Sequence, residues 1–171
     1  MKGPLLSGPA RDAVVTYLQA NLNAALATDD ILRDDGINLE PISSDNYFID
    51  ENFTPLKWPA CFVIIGKMKF NYDRGQNYID GVHELETVIV IEERTFDRIQ
   101  KKVESYGRAL FKVLDQQQLI GPDERFQLKL VSDEIEYSPT FETKASAGSK
   151  YYRKAIVYKW RAMHFEKTLI P

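Results

Sequence analysis

The amino-acid sequence predicts an α+β fold: a mainly antiparallel β-sheet with two helices packed on one face, and one long hairpin loop. Residues 83–93 alternate with a period of two and are rich in β-branched side chains, which is typical of a strand. Residues 96–114 instead repeat apolar side chains at steps of three and four, which is typical of an amphipathic helix. A strand that leads directly into a helix therefore organises the chain.

This strand is predicted to lie inside the sheet, covered at least partly on both sides. Its two faces are both largely apolar at mid-strand, with Leu85, Thr87, Ile89 and Ile91 on one face and Val88 and Val90 on the other. The helix is predicted to end near residues 116–118, because Gly121 can adopt positive φ and Pro122 cannot continue a helix. Its predicted apolar stripe is Phe96, Ile99, Val103, Tyr106, Leu110 and Leu114.

The remaining elements are predicted from shorter patterns. A helix runs from about Arg11 to Thr28 after a flexible arm of residues 1–10, and residues 37–42 form a short extended piece. An apolar strand covers residues 60–66, where Gly66 suggests a bulge or bend. Two more strands, at residues 125–135 and 151–165, are predicted to pair. Residues 71–81 and 138–150 are long polar connectors, and the second is predicted to be mobile in the isolated chain.

Composition limits the class of protein. A chain of 171 residues fits one domain with a sizeable core, here residues 1–171, and 44% hydrophobic residues are ordinary for a folded protein. The formal net charge of -3 argues against a protein whose main role is to neutralise nucleic-acid phosphates. The single cysteine, Cys61, lies in an apolar run and is predicted to be a buried thiol. About 18 consecutive apolar residues occur nowhere, so we expect a soluble, unsecreted protein.

Three patterns were weighed as sites of chemistry. The acidic residues between 29 and 40 resemble a calcium loop, but with Gly36 in the sixth place the first ligand falls on Ile31, which has no side-chain oxygen. The two histidines, His83 and His164, lack zinc-ligand spacing and are predicted to be surface or strand-end residues. A magnesium-dependent nucleic-acid enzyme is the alternative, with a site drawn from Asp80, Lys67, Glu84, Glu86, Glu92 and Glu93. We predict no enzymatic activity, no cofactor and no metal.

Residues suited to protein contacts are more evident. The predicted helix has a polar side of mixed charge, a solvated face or a contact surface for a neighbouring subunit, with the basic residues Arg98, Lys101, Lys102, Arg108 and Lys112. Aromatic and arginine side chains, which are enriched at interfaces, occur in and around the two connectors. The predicted partner-binding residues are Tyr72, Arg74, Tyr78, Phe141, Tyr151 and Arg153, for which local packing is the alternative.

The order of the predicted elements resembles the tail terminator, or tail completion, proteins of long-tailed bacteriophages. The stretch that looks most similar is residues 85–91 followed by the helix at residues 95–116, with an apolar strand ahead at residues 62–65. The similarity is one of layout and length and spans residues 13–165. The segment at residues 31–58 is longer than the family leads us to expect.

The resemblance implies a structural virion protein, without catalytic residues, that forms a ring, typically a hexamer. Such a ring caps the tail tube and joins it to a neck or head-completion protein, and DNA passes through it without being bound tightly. The implied location is the tail or neck of the virion, and the host cytoplasm during assembly. Another neck, sheath-associated or baseplate component is the alternative within virion proteins.

Overall fold

The structure is a computed structural model that describes residues 7–28, 36–49, 55, 57–71, 78–120, 126–144 and 148–167. The helices are α1 (Ser7–Ala27) and α2 (Phe96–Leu114), and a short 3-10 helix spans Ser44–Asn46. The strands, in chain order, are β1 (Tyr47–Phe48), β2 (Ala60–Asn71), β3 (Tyr78–Glu93), β4 (Gln118–Ile120), β5 (Phe126–Tyr137), β6 (Phe141–Lys144) and β7 (Lys150–Lys167).

The strands form one sheet in the order β1-β2-β3-β7-β5-β4, and β6 pairs with the first residues of β7. Among the described strands, the pair β1 and β2 is parallel and the other pairs are antiparallel. Side chains of both helices join those of the sheet in one buried cluster. The predicted α+β fold is therefore confirmed.

Strand β3 lies inside the sheet, between β2 and β7, as the alternating pattern predicts. On the face that belongs to the buried cluster, its side chains are 0–3% exposed: Leu85, Thr87, Ile89 and Ile91. Val88 and Val90 on the opposite face are only half-buried. The predicted bulge at Gly66 is confirmed, because the β2–β3 register shifts between Ile65 and Lys67.

Both helix boundaries differ from the prediction. Helix α1 begins at Ser7, inside the predicted arm, because Pro9 fits in a first turn whose N–H groups need no intrahelical acceptor. Helix α2 ends at Leu114, before Gln116, which has φ of 58°. The Asp115 carboxylate accepts hydrogen bonds from the backbone N–H and the hydroxyl of Ser132, at 3.2 and 2.6 Å. This tertiary contact favours an early end to the helix, and Gly121 and Pro122 lie outside the described residues.

Two predicted irregular segments are held by specific contacts. Residues 37–42, predicted as a short extended piece, form no strand, and the Asn23 side chain of α1 donates to the Ile42 carbonyl and accepts from the Ile42 N–H, both at 2.8 Å. A side chain thus replaces the partner strand. Within residues 138–150, four residues form β6 and pair with β7, so the prediction of a mobile connector is wrong for that part.

Candidate functional site

The structure separates the predicted partner-binding residues. Tyr72 and Arg74 lie outside the described residues. Tyr78 begins β3 and pairs with Lys167, whereas Phe141, Tyr151 and Arg153 lie at the other end of the sheet. Because β3 has 16 residues, the two ends are roughly 50 Å apart at about 3.3 Å per residue. Tyr78 therefore lies far from Phe141, Tyr151 and Arg153 within one chain.

Phe141, Tyr151 and Arg153 belong to a larger surface, which we call the aromatic end. It is built where β2 begins, β3 ends, α2 begins and β6 pairs with β7. Register alone brings the three together, because Phe141 pairs with Arg153 and the neighbouring Thr143 pairs with Tyr151. The residues that define the aromatic end are Trp58, Arg94, Phe96, Phe141, Tyr151, Tyr152 and Arg153.

Each arginine of the aromatic end lies over an aromatic ring. The Arg94 guanidinium carbon is 5.8 Å from the centroid of Tyr151, and that of Arg153 is 4.3 Å from the centroid of Trp58. Phe96 meets Tyr152 edge-on, with ring centroids 5.7 Å apart. Phe96 is 50% exposed and Phe141 is 59% exposed. Phe141 shares a face of the sheet with its partner Arg153, whereas Phe96 lies with Tyr152 on the helix-bearing face, so large apolar side chains remain open to solvent on both faces at this end.

A cavity of about 450 Å³ opens within this surface. Its walls come from the turn after β3, from the start of β2, from the first residues of β7 and from the segment that precedes the 3-10 helix. The lining residues are Glu40, Lys57, Trp58, Pro59, Ile91, Glu92, Glu93, Arg94 and Tyr151. The cavity therefore combines aromatic walls with charges of both signs.

Each carboxylate of the cavity is paired with a cation, although two of the three share Lys102. Glu92 accepts from Arg153 at 2.7 Å, and Lys102 Nζ lies 2.7 Å from both Glu40 and Glu93. Burial acts to raise the pKa of Glu93, but hydrogen bonds from Lys102 and the Arg94 N–H, with nearby positive charge, hold that pKa below its usual value. In the part of the chain that the structure describes, neither the Lys57 ammonium nor the Arg94 guanidinium has an acidic partner.

Lys102 corrects one prediction. The sequence placed it on the solvated polar side of the helix, but it is 3% exposed and its ammonium group reaches two carboxylates. Tyr106, one turn later, donates to the Glu40 carbonyl at 2.5 Å. Residues 37–42 cross the helix at this place and cover Lys102, a tertiary contact that helical periodicity does not reveal.

The acidic residues considered for magnesium do not converge. Glu84 and Glu86 share a strand face as expected, but Glu84 is bound by Lys67 and Lys69 at 3.0 Å each, which lowers its pKa. Glu92 and Glu93 lie eight and nine residues further along β3. Within the described ranges, no group of three or more histidine, cysteine, aspartate or glutamate side chains is placed to hold a metal ion.

The histidines also correct a prediction. His83 and His164 are buried rather than surface residues, with exposures of 0% and 1%. His83 Nε2 lies 2.8 Å from His164 Nδ1, and His164 Nε2 lies 3.2 Å from a carboxylate oxygen of Glu166. Cys61 is buried as predicted, and burial raises the pKa of its thiol. These groups lie in the interior, apart from the aromatic end.

Sequence reasoning missed four residues of the aromatic end: Trp58, Arg94, Phe96 and Tyr152. Phe96 is apolar and lies on the helical stripe, so the sequence pattern predicted a core position for it. Trp58 comes just before Pro59 and strand β2, and Arg94 comes between strand β3 and Thr95. Their positions at strand ends are the signals in the sequence that could have pointed to them. Their association with Tyr151 and Arg153 depends on strand order, which local patterns do not define.

Fold and site together define an α+β protein whose distinctive surface is a cluster of aromatic and arginine side chains. No family model matches the chain, and no curated protein matches it. A chain of the solved structure titled "Virion of native gene transfer agent (GTA) particle" is 14% identical and has a TM-score of 0.33, with 88% of this chain and 98% of that chain covered. A TM-score this low carries no inference about fold or function. Among the described residues, no helix is long and apolar enough to span a membrane.

Proposed function

We propose that this chain is a structural virion protein of a long-tailed phage, and specifically a tail terminator. In this proposal the protein forms a ring, of six subunits as in the family it resembles, that caps the tail tube and joins it to a neck or head-completion protein. The layout behind that resemblance is helix, strand hairpin, helix and further antiparallel strands. This layout is present as α1, β2–β3, α2, β5 and β7.

The observation that carries the assembly role is the aromatic end. Aromatic and arginine side chains are enriched at protein interfaces and dominate their binding energy. Here Phe96 and Phe141 are each at least half exposed, and Arg94 and Arg153 are held against rings at the same end of the sheet. Apolar side chains that cluster on a surface, rather than occurring singly, are typical of a binding site. The aromatic end is therefore the surface we assign to subunit assembly.

The proposal places the ring in the tail or neck of the virion, after assembly in the host cytoplasm. DNA passes through such a ring, but we expect it to be bound weakly. The formal net charge of -3 leaves little counterion release to favour binding to a duplex. Of the predicted contact residues, Phe141, Tyr151 and Arg153 belong to the assigned surface.

Negative-stain imaging of the purified protein, alone and with tail tubes, tests the proposal. We expect rings of uniform diameter that bind at tube ends. Phe96→Ser should weaken ring formation about tenfold or more, as removal of an interface anchor does. Phe111→Ser is the matched control, because Phe111 lies on the same helix, is 48% exposed and is not part of the aromatic end.

The outcomes separate the alternatives. Rings that bind tubes or baseplates elsewhere than at the tube end would indicate another neck, sheath-associated or baseplate component. A monomer that does not bind tubes at any concentration would contradict the proposal. Equal weakening by Phe96→Ser and Phe111→Ser would remove the assembly role from the aromatic end.

A further inference from the structure

The cavity of the aromatic end has an excess of positive charge at its opening. Its three carboxylates, Glu40, Glu92 and Glu93, are all within 2.7 Å of a cation supplied by Lys102 or Arg153. Lys57 and Arg94 are exposed, line the same cavity and have no carboxylate partner among the described residues. The three acids share two cations, so with Lys57 and Arg94 the site has a net charge of +1, which favours an added carboxylate.

The aromatic walls make this site more selective than two surface cations alone. Arg94 lies over the Tyr151 ring, and Trp58, which precedes β2, is covered by Arg153. Rings on both sides reduce the freedom of the guanidinium groups and leave an apolar surface beside them. A ligand that fits is therefore an acidic side chain presented next to an apolar one, which is the chemistry of a protein surface rather than of a free ion.

The distribution of charge within the chain indicates which protein supplies that carboxylate. The charges of the cavity and its supporting residues are four cations, Lys57, Arg94, Lys102 and Arg153, against three carboxylates, which gives +1. Since the whole chain has a formal net charge of -3, the remainder carries -4. A second copy of the chain, whose remainder has an excess of acidic residues, is therefore a source of a complementary carboxylate.

We propose that the cavity of the aromatic end receives a carboxylate side chain from a second copy of this chain. The contact is head-to-tail, because the cavity meets a different surface of its neighbour, and repeated contacts of this kind close into a ring. The inference rests on the proposed function, which supplies the reason for self-association. It adds the chemistry of the contact: a partner acid that is held between Lys57 and Arg94 and packed against Trp58 and Tyr151.

Sedimentation of the full chain over a range of concentrations and salt tests this inference. The double variant Lys57→Gln with Arg94→Gln removes both unpaired cations and leaves the three internal ion pairs intact. We expect its self-association to be about tenfold weaker or more, and the wild-type association to weaken between about 0.05 and 0.5 M salt. The control is Lys112→Gln with Arg98→Gln, which removes the same charge from exposed positions of α2 outside the cavity.

Circular dichroism and a thermal melt first establish that both double variants are folded. If self-association is weaker in the Lys57 and Arg94 double variant but not in the control, the inference is supported. Equal association of that variant and the wild type overturns it and leaves the proposed function standing, since rings would then form by other contacts. A wild-type chain that remains monomeric but still caps tail tubes also overturns this inference alone. A chain that neither self-associates nor binds tubes overturns both proposals.

Discussion

His83, His164 and Glu166 form a buried hydrogen-bonded chain between β3 and β7. When Glu166 accepts from His164 Nε2, His164 Nδ1 is left as an acceptor for the His83 Nε2 proton, so both rings are neutral. Burial, and then the charge of His164, lowers the pKa of His83 from 6.5 to about 4. The pKa of His164 is also lowered, chiefly by burial, although Glu166 acts to raise it.

The buried hydrogen bonds of His83, His164 and Glu166 predict that the protein loses stability in mild acid. The unfolded protein takes up a proton on His83 near its ordinary pKa of 6.5, whereas the folded protein does not until about pH 4. The stabilisation is therefore complete above pH 6.5 and is lost as pH falls towards 4. Between about pH 7.5 and 5 we expect the free energy of unfolding to fall by about 2 kcal/mol, by linkage.

Urea unfolding at the two pH values provides the measurement, with His83→Gln as the variant. Glutamine keeps a donor for the His164 ring but does not titrate, so the pH dependence should become clearly smaller. The chain has two histidines, which limits the groups that titrate in this range. An unchanged pH dependence in His83→Gln would show that this residue is not responsible.

At the scale of the elements, two glycines predict opposite responses to alanine. A Cβ at Gly81 in β3 would lie 2.8 Å from the Lys69 carbonyl oxygen, which the β2–β3 pairing holds in place. A Cβ at Gly107 in α2 would lie 3.0 Å from the Tyr137 hydroxyl, the free end of a side chain that is 45% exposed. Backbone cannot move away cheaply, whereas a half-exposed ring can.

We therefore expect Gly81→Ala to destabilise the protein by about 1 to 3 kcal/mol, as overpacking does. Gly107→Ala should be neutral or slightly stabilising, because alanine is favoured over glycine within a helix by roughly 0.5 to 1 kcal/mol. Thermal unfolding of the two variants in parallel measures the difference. Equal destabilisation by both would contradict the account of the Tyr137 ring as the group that yields.

The elements also show which features the sequence could predict. The period of two at residues 83–93 and the helical stripe of α2 depend on local burial, and both are confirmed. The end of α2 at Leu114 and the position of residues 37–42 depend instead on single side chains, Asp115 and Asn23, that bond to distant backbone. Local sequence patterns do not reveal partners that are distant along the chain.

The candidate site was predictable only in part for a related reason. Phe141, Tyr151 and Arg153 were found because their residue types are common at interfaces, and they do come together. Phe96 was assigned to the core because it lies on the apolar stripe of α2, but it comes first in the helix and half of it reaches solvent. Trp58 and Arg94 join the group through the order of strands β2, β3 and β7, a property of the whole sheet.

At the scale of the whole molecule, the sheet has two distinct ends and one distinctive surface. The half of the sheet toward Tyr78 and Lys167 contains, six residues from Tyr78, the ion pairs of Glu84 with Lys67 and Lys69. The opposite end combines exposed rings, ring-bound arginines and a cavity. The central claim is that subunits assemble through this second end.

Hydrogen–deuterium exchange of the protein in its monomeric and assembled states tests that claim most directly. The amides of β6 (Phe141–Lys144) lie at the border of the aromatic end, and those of residues 94–96 lie in the turn beside its cavity. We predict that assembly slows exchange in these two segments and leaves β4 (Gln118–Ile120) unchanged. Protection that instead appears at β4 or along residues 78–84, with no change at residues 94–96 and 141–144, would contradict the account.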